Sequence, residues 1–125
     1  MAKIFNLNER LAAFASSIIG FAEKLPKSFA AQHLAGQLIR SGTAPALHYG
    51  EAQAGESGKD FIHKMRTGLK ELRETLNALR IIQLKNWMSK EDLDPVIDEN
   101  NQLIAIFVTC IKTALRNSGK DKLDE

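Results

Sequence analysis

A chain of 125 residues, 44% apolar and 26% charged, has the size and make-up of one globular domain, large enough to bury a core without disulfide or metal staples. Its net charge of +2 is too small to argue for nucleic acid by itself, so any such argument rests on where the charges lie. No run approaches the roughly 18 uninterrupted apolar residues of a membrane span, and the start Met1-Ala2-Lys3-Ile4-Phe5-Asn6 lacks the pattern of a secretion signal, so a cytoplasmic address is expected.

With three prolines, eight glycines and few β-branched runs, the chain favours helices. The first is expected from Asn6, which stands at capping distance from Glu9. Its apolar stripe runs Leu7, Leu11, Phe14, Ile18, Phe21 or Ala22, and Leu25. Pro26 stops it, because the residue before a proline is pushed out of helical geometry.

Ser28 caps the second helix, whose stripe is Ala31, Leu34, Ala35 and Leu38. Pro45 has no N–H and leaves the carbonyl of Ser41 without its helical partner. The chain therefore either kinks there and continues to about Ala54, the reading preferred, or breaks near residues 41–44. Ala35, Gly36, Gly42, Ala44 and Ala46 would admit a neighbouring helix closely.

Ser57-Gly58-Lys59-Asp60 opens the third helix. Ile62, Met65, Leu69, Leu72, Leu76 and Leu79 alternate steps of three and four, as bundle seams do. Phe61, Gly68, Thr75 and Ile82 widen that face along one flank. Asp60–Lys64 and Lys70–Glu74 are spaced to pair across a turn. Trp87 and Met88 fall in the next connection, and Ser89 or Asp94 caps the fourth helix.

The fourth helix is acidic at its start and basic at its end, in accord with the helix dipole. Its centre, Leu103-Ile104-Ala105-Ile106-Phe107-Val108, is apolar on more than one side. If Ile104, Phe107 and Ile111 face the core, then Leu103, Ile106 and Cys110 form a candidate subunit interface. Cys110, the only cysteine, also reads as a small core residue. Asn117-Ser118-Gly119 is expected to end the helix. The short connections imply an all-α, antiparallel up-down-up-down four-helix bundle over residues 1–119, followed by a charged tail at 120–125.

Little here points to catalysis. His33, His48 and His63 lack metal-ligand spacing, and the Glu-x-x-His pairs of a bundle di-iron site are missing. Without strands there is no phosphate-binding glycine loop. His48 and Glu51, three apart, suit a hydrogen bond across one turn better than an acid–base pair. No cofactor, metal or small-molecule substrate is expected.

One charged pattern stands out. Lys59, Arg66, Arg73 and Arg80 recur every seven residues on the third helix, beside His63, Lys70 and Asn77. Together they form a positive strip on the order of 20–30 Å long, able to span several phosphates of RNA or DNA. A structural reading stands beside it, in which the strip pairs with Glu51, Glu56 or the acidic start of the fourth helix, or bridges subunits. No aromatic residue interleaves with it, so stacking on single-stranded bases is not indicated.

Four blocks carry a family likeness: Arg40-Ser41-Gly42-Thr43, Tyr49-Gly50-Glu51-Ala52, Asp60-Phe61-Ile62-His63-Lys64, and Leu69-Lys70-Glu71-Leu72-Arg73-Glu74-Thr75. In order and spacing the chain resembles, over about residues 8–116, the bacterial four-helix bundle proteins known as 23S rRNA intervening-sequence proteins. The resemblance implies a four-helix subunit that assembles as a homopentamer, with a poorly defined biochemical role. It is similar in architecture, too, to the basic pentameric accessory protein that partners a reverse transcriptase in diversity-generating retroelements. Arg40, Ser41, Glu51, Asp60 and Lys64 match the family's polar positions. Departures fall at Ala44-Pro45-Ala46-Leu47-His48, at Gly50 and at Leu76-Asn77-Ala78-Leu79. What these imply is a non-enzymatic homo-oligomer that binds nucleic acid through the strip, or else an interaction scaffold or accessory subunit that does not.

Overall fold

The computed structural model describes residues 6–55 and 57–124. Four helices make up the fold: α1 (Leu7–Glu23), α2 (Phe29–Ala54), α3 (Gly58–Lys85) and α4 (Lys90–Asp124). Three start as their capping residues dictate. Asn6 Oδ1 accepts from the Glu9 N–H at 3.0 Å, Ser28 Oγ from Ala31 at 3.3 Å, and Ser57 Oγ from Asp60 at 3.1 Å. At α4 the cap is Ser89, whose Oγ accepts from the Asp92 N–H at 3.2 Å, so Asp94 lies inside the helix. Asn86 ends α3 in the left-handed region at φ 57°, a conformation asparagine tolerates better than most residues.

Each helix packs against its neighbours in a ring, α1 on α2, α2 on α3, α3 on α4, with α4 closing weakly on α1. The direction of each pair follows from which residues meet. Arg40 reaches Glu71 and Glu74 while Glu51 reaches Lys64, which sets α2 antiparallel to α3. Asn100 bonds Leu72 and Phe107 lies against Gly68, which does the same for α3 and α4. Arg10 with Glu99 and Lys24 with Asp92 orient α1 against α4. The result is the antiparallel four-helix bundle that the short connections predict.

The stripe of α1 is buried throughout, from Leu7 to Leu25. The helix α2 runs unbroken through Pro45, so the alternative of a break at 41–44 is not realised. Close approach depends on two glycines. A Cβ at Gly42 would stand 2.7 Å from Ile18 Cγ2, and one at Gly68 2.7 Å from Phe107 Cε2. Hydrogen in place of a methyl lets α1 and α4 seat these large side chains against the backbones of α2 and α3.

Four expectations are corrected. The buried face of α3 is turned toward its flank: Gly68, Thr75 and Ile82 are buried, whereas Leu69 and Leu76 are only half-buried. Because α3 touches both α2 and α4, its buried face is wider than one seam. On α4, Leu103 is fully buried with Phe107 and Ile111, so it belongs to the core and not to a subunit interface. Cys110 is half-buried rather than a core residue. Finally, α4 passes through Asn117-Ser118-Gly119 and continues to Asp124. An interior glycine weakens a helix but does not stop it as proline does.

Inside the bundle lie three polar side chains that hydropathy alone places on the surface: Ser41, Thr75 and Asn100. Thr75 Oγ1 lies 2.8 Å from Ser41 Oγ and 2.9 Å from the Glu71 carbonyl. A hydroxyl has one proton. With that of Thr75 on the carbonyl, Ser41 donates to Thr75 and both groups are satisfied. Asn100 Nδ2 donates to the Leu72 carbonyl at 3.1 Å, while its Oδ1 has no partner.

Candidate nucleic-acid interface

The strip belongs to α3, and the register of that helix decides its surroundings. Burying Met65, Leu72 and Leu79 turns residues one position later in each heptad outward. Lys59, Arg66, Arg73 and Arg80 are accordingly exposed, as are His63, Lys70 and Asn77. From Lys59 to Arg80 the helical rise gives a length of about 32 Å.

The carboxylates of α3 are engaged elsewhere. Glu71 and Glu74 both point to α2, where Arg40 donates to them at 3.0 and 2.8 Å. The bonds to Glu74 and then Glu71 hold the Arg40 guanidinium's pKa above its ordinary value. Glu74 is thereby taken from Lys70, the partner its spacing suggests. Lys64 likewise turns from Asp60 to Glu51, at 3.3 Å. Glu51 also lies 3.4 Å from His48 Nδ1. The Lys64 hydrogen bond, then its charge, then the His48 bond hold the Glu51 carboxyl below the usual range.

Three carboxylates at the acidic start of α4 are also occupied, by cations outside the strip. Asp92 meets Lys24 at 3.9 Å, Asp94 meets Lys90 at 2.7 Å, and Glu99 meets Arg10 at 2.7 Å. Among the described residues Lys59, Arg66, Lys70, Arg73 and Arg80 therefore have no ion-pair partner. Glu56, the other partner considered, lies outside the described residues.

Two open concavities accompany the strip. One, about 470 Å³, is lined by Arg66, Leu69, Lys70, Arg73, Glu74 and Asn77. The other, about 610 Å³, lies where Lys59, His63 and Arg66 face Leu115 and Ser118 of α4. Both are shallow, cation-edged surfaces with an apolar floor, not enclosed pockets.

The five polar residues carried over from the family resemblance do not converge. Arg40 is on the surface between Glu71 and Glu74, whereas Ser41 is buried against Thr75. Glu51 and Lys64 pair at the far end of α2. Asp60 turns its carboxylate over Gly55, where a Cβ would collide with it, while Ser57 performs the capping. The residues missed in advance were their partners, Glu71, Glu74 and Thr75. An acid pair at i and i+3 opposite a lone arginine was a usable signal for the first two; the seven-residue spacing of Thr75 with Phe61, Gly68 and Ile82 signalled its burial, though not its bond to Ser41.

No group of three or more metal-ligating side chains gathers among the described residues, and no helix there is long and apolar enough to cross a membrane. Burial raises the pKa of the Cys110 thiol, which disfavours the reactive thiolate.

A family model described as the 23S rRNA-intervening sequence protein matches residues 6–109, most of the chain. The chain belongs to that family. Its fold is shared by a solved structure from Bacteroides thetaiotaomicron VPI-5482, described as a protein of unknown function from the S23 ribosomal protein family. The two align with a TM-score of 0.80 at 24% identity, over 86% of this chain and 99% of that one. No curated protein matches. This member of the 23S rRNA-intervening sequence family thus has a shared fold and a family of unknown function, and its own surface supplies the functional argument.

Proposed function

We propose that this protein is a non-catalytic, self-assembling binding protein that holds RNA or DNA by its phosphates along α3. One observation carries the reading: five exposed cations share one side of α3 with no carboxylate partner among the described residues. A row of unpaired cations repels itself, and a polyanion relieves that repulsion while releasing its counterions. The absence of interleaved aromatic rings favours backbone contact over base reading. The family resemblance supports self-assembly as a homopentamer.

Binding to structured RNA and to duplex DNA, measured against salt, tests this. Each phosphate contact contributes roughly 0.9 to the log–log salt slope on a duplex. Arg66→Glu with Arg73→Glu is expected to lower the slope by about 2 and to weaken binding at least about tenfold, with the assembly intact. Unchanged binding by an intact assembly would show that the strip is not the site.

A second reading draws on Glu74, which is held by Arg40 but also lines the smaller concavity beside Arg66, Lys70 and Arg73. In it the strip docks a protein, either a neighbouring copy or a nucleic-acid enzyme such as a reverse transcriptase served by this chain as accessory subunit. The same double reversal then breaks the complex or the oligomer, and nucleic-acid binding is absent from the start.

A further inference from the structure

The basic residues of α4 accord with its dipole only if the helix ends close behind them, and it does not: α4 continues to Asp124. Lys112 and Arg116 stand about three and about two turns short of that end, whereas the dipole acts within the last turn. Both are exposed, and neither has an ion-pair partner among the described residues. Four residues apart, they repel each other across one turn. From Asn100 to Gly119 the helix has no carboxylate to offset them. No contact within the described subunit accounts for the pair.

Their position gives them a use. Leu115 lines the recess of about 610 Å³ in which α4 faces Lys59, Ile62, His63 and Arg66 of α3. Around the axis of α4, Lys112 and Arg116 are turned from Leu115 by about 60° and about 100°, both away from the buried Ile111. Helix α3 repeats that order. Ile62 is buried, and Arg66, Lys59 and His63 are turned outward from it by about 40°, 60° and 100°. Each side of the groove thus has an apolar side chain low on its wall and cations toward its rim. The acid of α3 nearest in sequence, Asp60, bends its carboxylate over Gly55 instead.

From this we infer that Lys112 and Arg116 are the second wall of the nucleic-acid site, and that the sugar–phosphate backbone of one strand lies lengthwise in the groove between α3 and α4. Its phosphates are held from both rims, by Lys59 and Arg66 on one side and Lys112 and Arg116 on the other, while sugars rest over Leu115. The inference depends on the phosphate-binding reading above and moves the centre of the site from the face of α3 into the groove. Charge complementarity selects the occupant. Cations on two rims without a facing carboxylate call for a polyanion, and an apolar floor between them suits one whose charges alternate with less polar sugars. An unpaired strand and the edge of a duplex both present that backbone, so both serve as probes.

Fluorescence anisotropy of the full chain with a uridine oligonucleotide and with duplex DNA, measured against salt, tests the second wall. Circular dichroism and sedimentation velocity confirm that each variant keeps the fold and mass of the wild type. Lys112→Gln with Arg116→Gln removes both charges and leaves good helix formers in their place. It is expected to weaken binding at least about tenfold and to lower the log–log salt slope by about 1.4 on the single strand and about 1.8 on the duplex. Each single replacement should show half that change in slope. Lys112→Arg with Arg116→Lys, which keeps the charges, should retain the full slope, and so should Lys90→Gln at the opposite end of the bundle. Unchanged binding by Lys112→Gln, Arg116→Gln, when Arg66→Glu, Arg73→Glu is weakened, overturns this inference alone. Poly-glutamate that displaces the oligonucleotide at equal charge overturns the choice of occupant, since the groove then reads acidic side chains. A wild type that holds neither nucleic acid at low salt overturns the phosphate-binding reading as well.

Discussion

Replacing Phe107 by alanine is expected to cost about 3–5 kcal/mol of folding stability, a large share of the ~5–15 kcal/mol that holds a domain together. Phe107 is fully buried, lies against the backbone of α3 at Gly68, and reaches across the core to Tyr49, ring centroids 6.4 Å apart. Its removal opens a cavity where three helices meet, and rigid helices collapse poorly into such a space. Gly68→Ala attacks the same contact from the other side. The added methyl stands within 2.7 Å of the ring and should cost roughly 1–3 kcal/mol by overpacking. Denaturant unfolding of Phe107→Ala, and of Gly68→Ala and Phe107→Leu singly and combined, would check this. The smaller side chain makes room for the methyl, so the double variant should lose less than the two single losses summed.

Asn100→Asp is expected to be comparably severe and, unlike the first, to depend on pH. Asn100 is completely buried, donates through Nδ2 to the Leu72 carbonyl, and has no donor facing its Oδ1. A carboxylate there loses that bond, gains none, and puts an unpaired charge in the core, at a cost of about 3–5 kcal/mol at neutral pH. Burial raises the folded-state pKa of such an acid above its unfolded value of about 3.9. The penalty therefore grows as pH rises from the unfolded pKa to the folded one, and is constant above. Below about pH 4 both states hold the proton, the acid O–H can again donate to the Leu72 carbonyl, and the variant should approach the stability of the wild type. Urea midpoints of the variant and the wild type across pH 3–8 would show it; a gap independent of pH would mean that residue 100 is hydrated.

How much of this was legible in the sequence depended on how many neighbours each helix has. The stripe of α1, from Leu7 to Leu25, could be read residue by residue because its apolar face is narrow and continuous. For α3 the heptads gave the helix but misplaced the centre of its buried face. Thr75 is polar by any scale, yet it is buried with its hydroxyl satisfied by the Glu71 carbonyl and by Ser41 of α2. On α4 two apolar rows competed, and rotation of the helix, set by the fit of Phe107 to Gly68, put Leu103 inward. Asn100 gave no warning, since asparagine is ordinarily a surface residue. The strip itself was plain from its seven-residue spacing. That it lacks carboxylate partners was not, because this depends on Arg40, 31 and 34 residues away, holding Glu71 and Glu74.

The seam between α1 and α4 is the weakest of the four, and two solvent-accessible ion pairs, Arg10–Glu99 and Lys24–Asp92, bridge it near its two ends. Bonds of that kind fade as salt rises, because mobile ions screen exposed charges beyond about 10 Å at 0.1 M and about 3 Å at 1 M. The bundle thus has a door, and ionic strength loosens its latches. Opening it would part α1 from α4 and uncover the core from one side, with α1 still held on α2 by Ile18 against Gly42. The salt that strips a polyanion from α3 acts on α1 as well, so at high ionic strength release of ligand and breathing of the subunit should set in together.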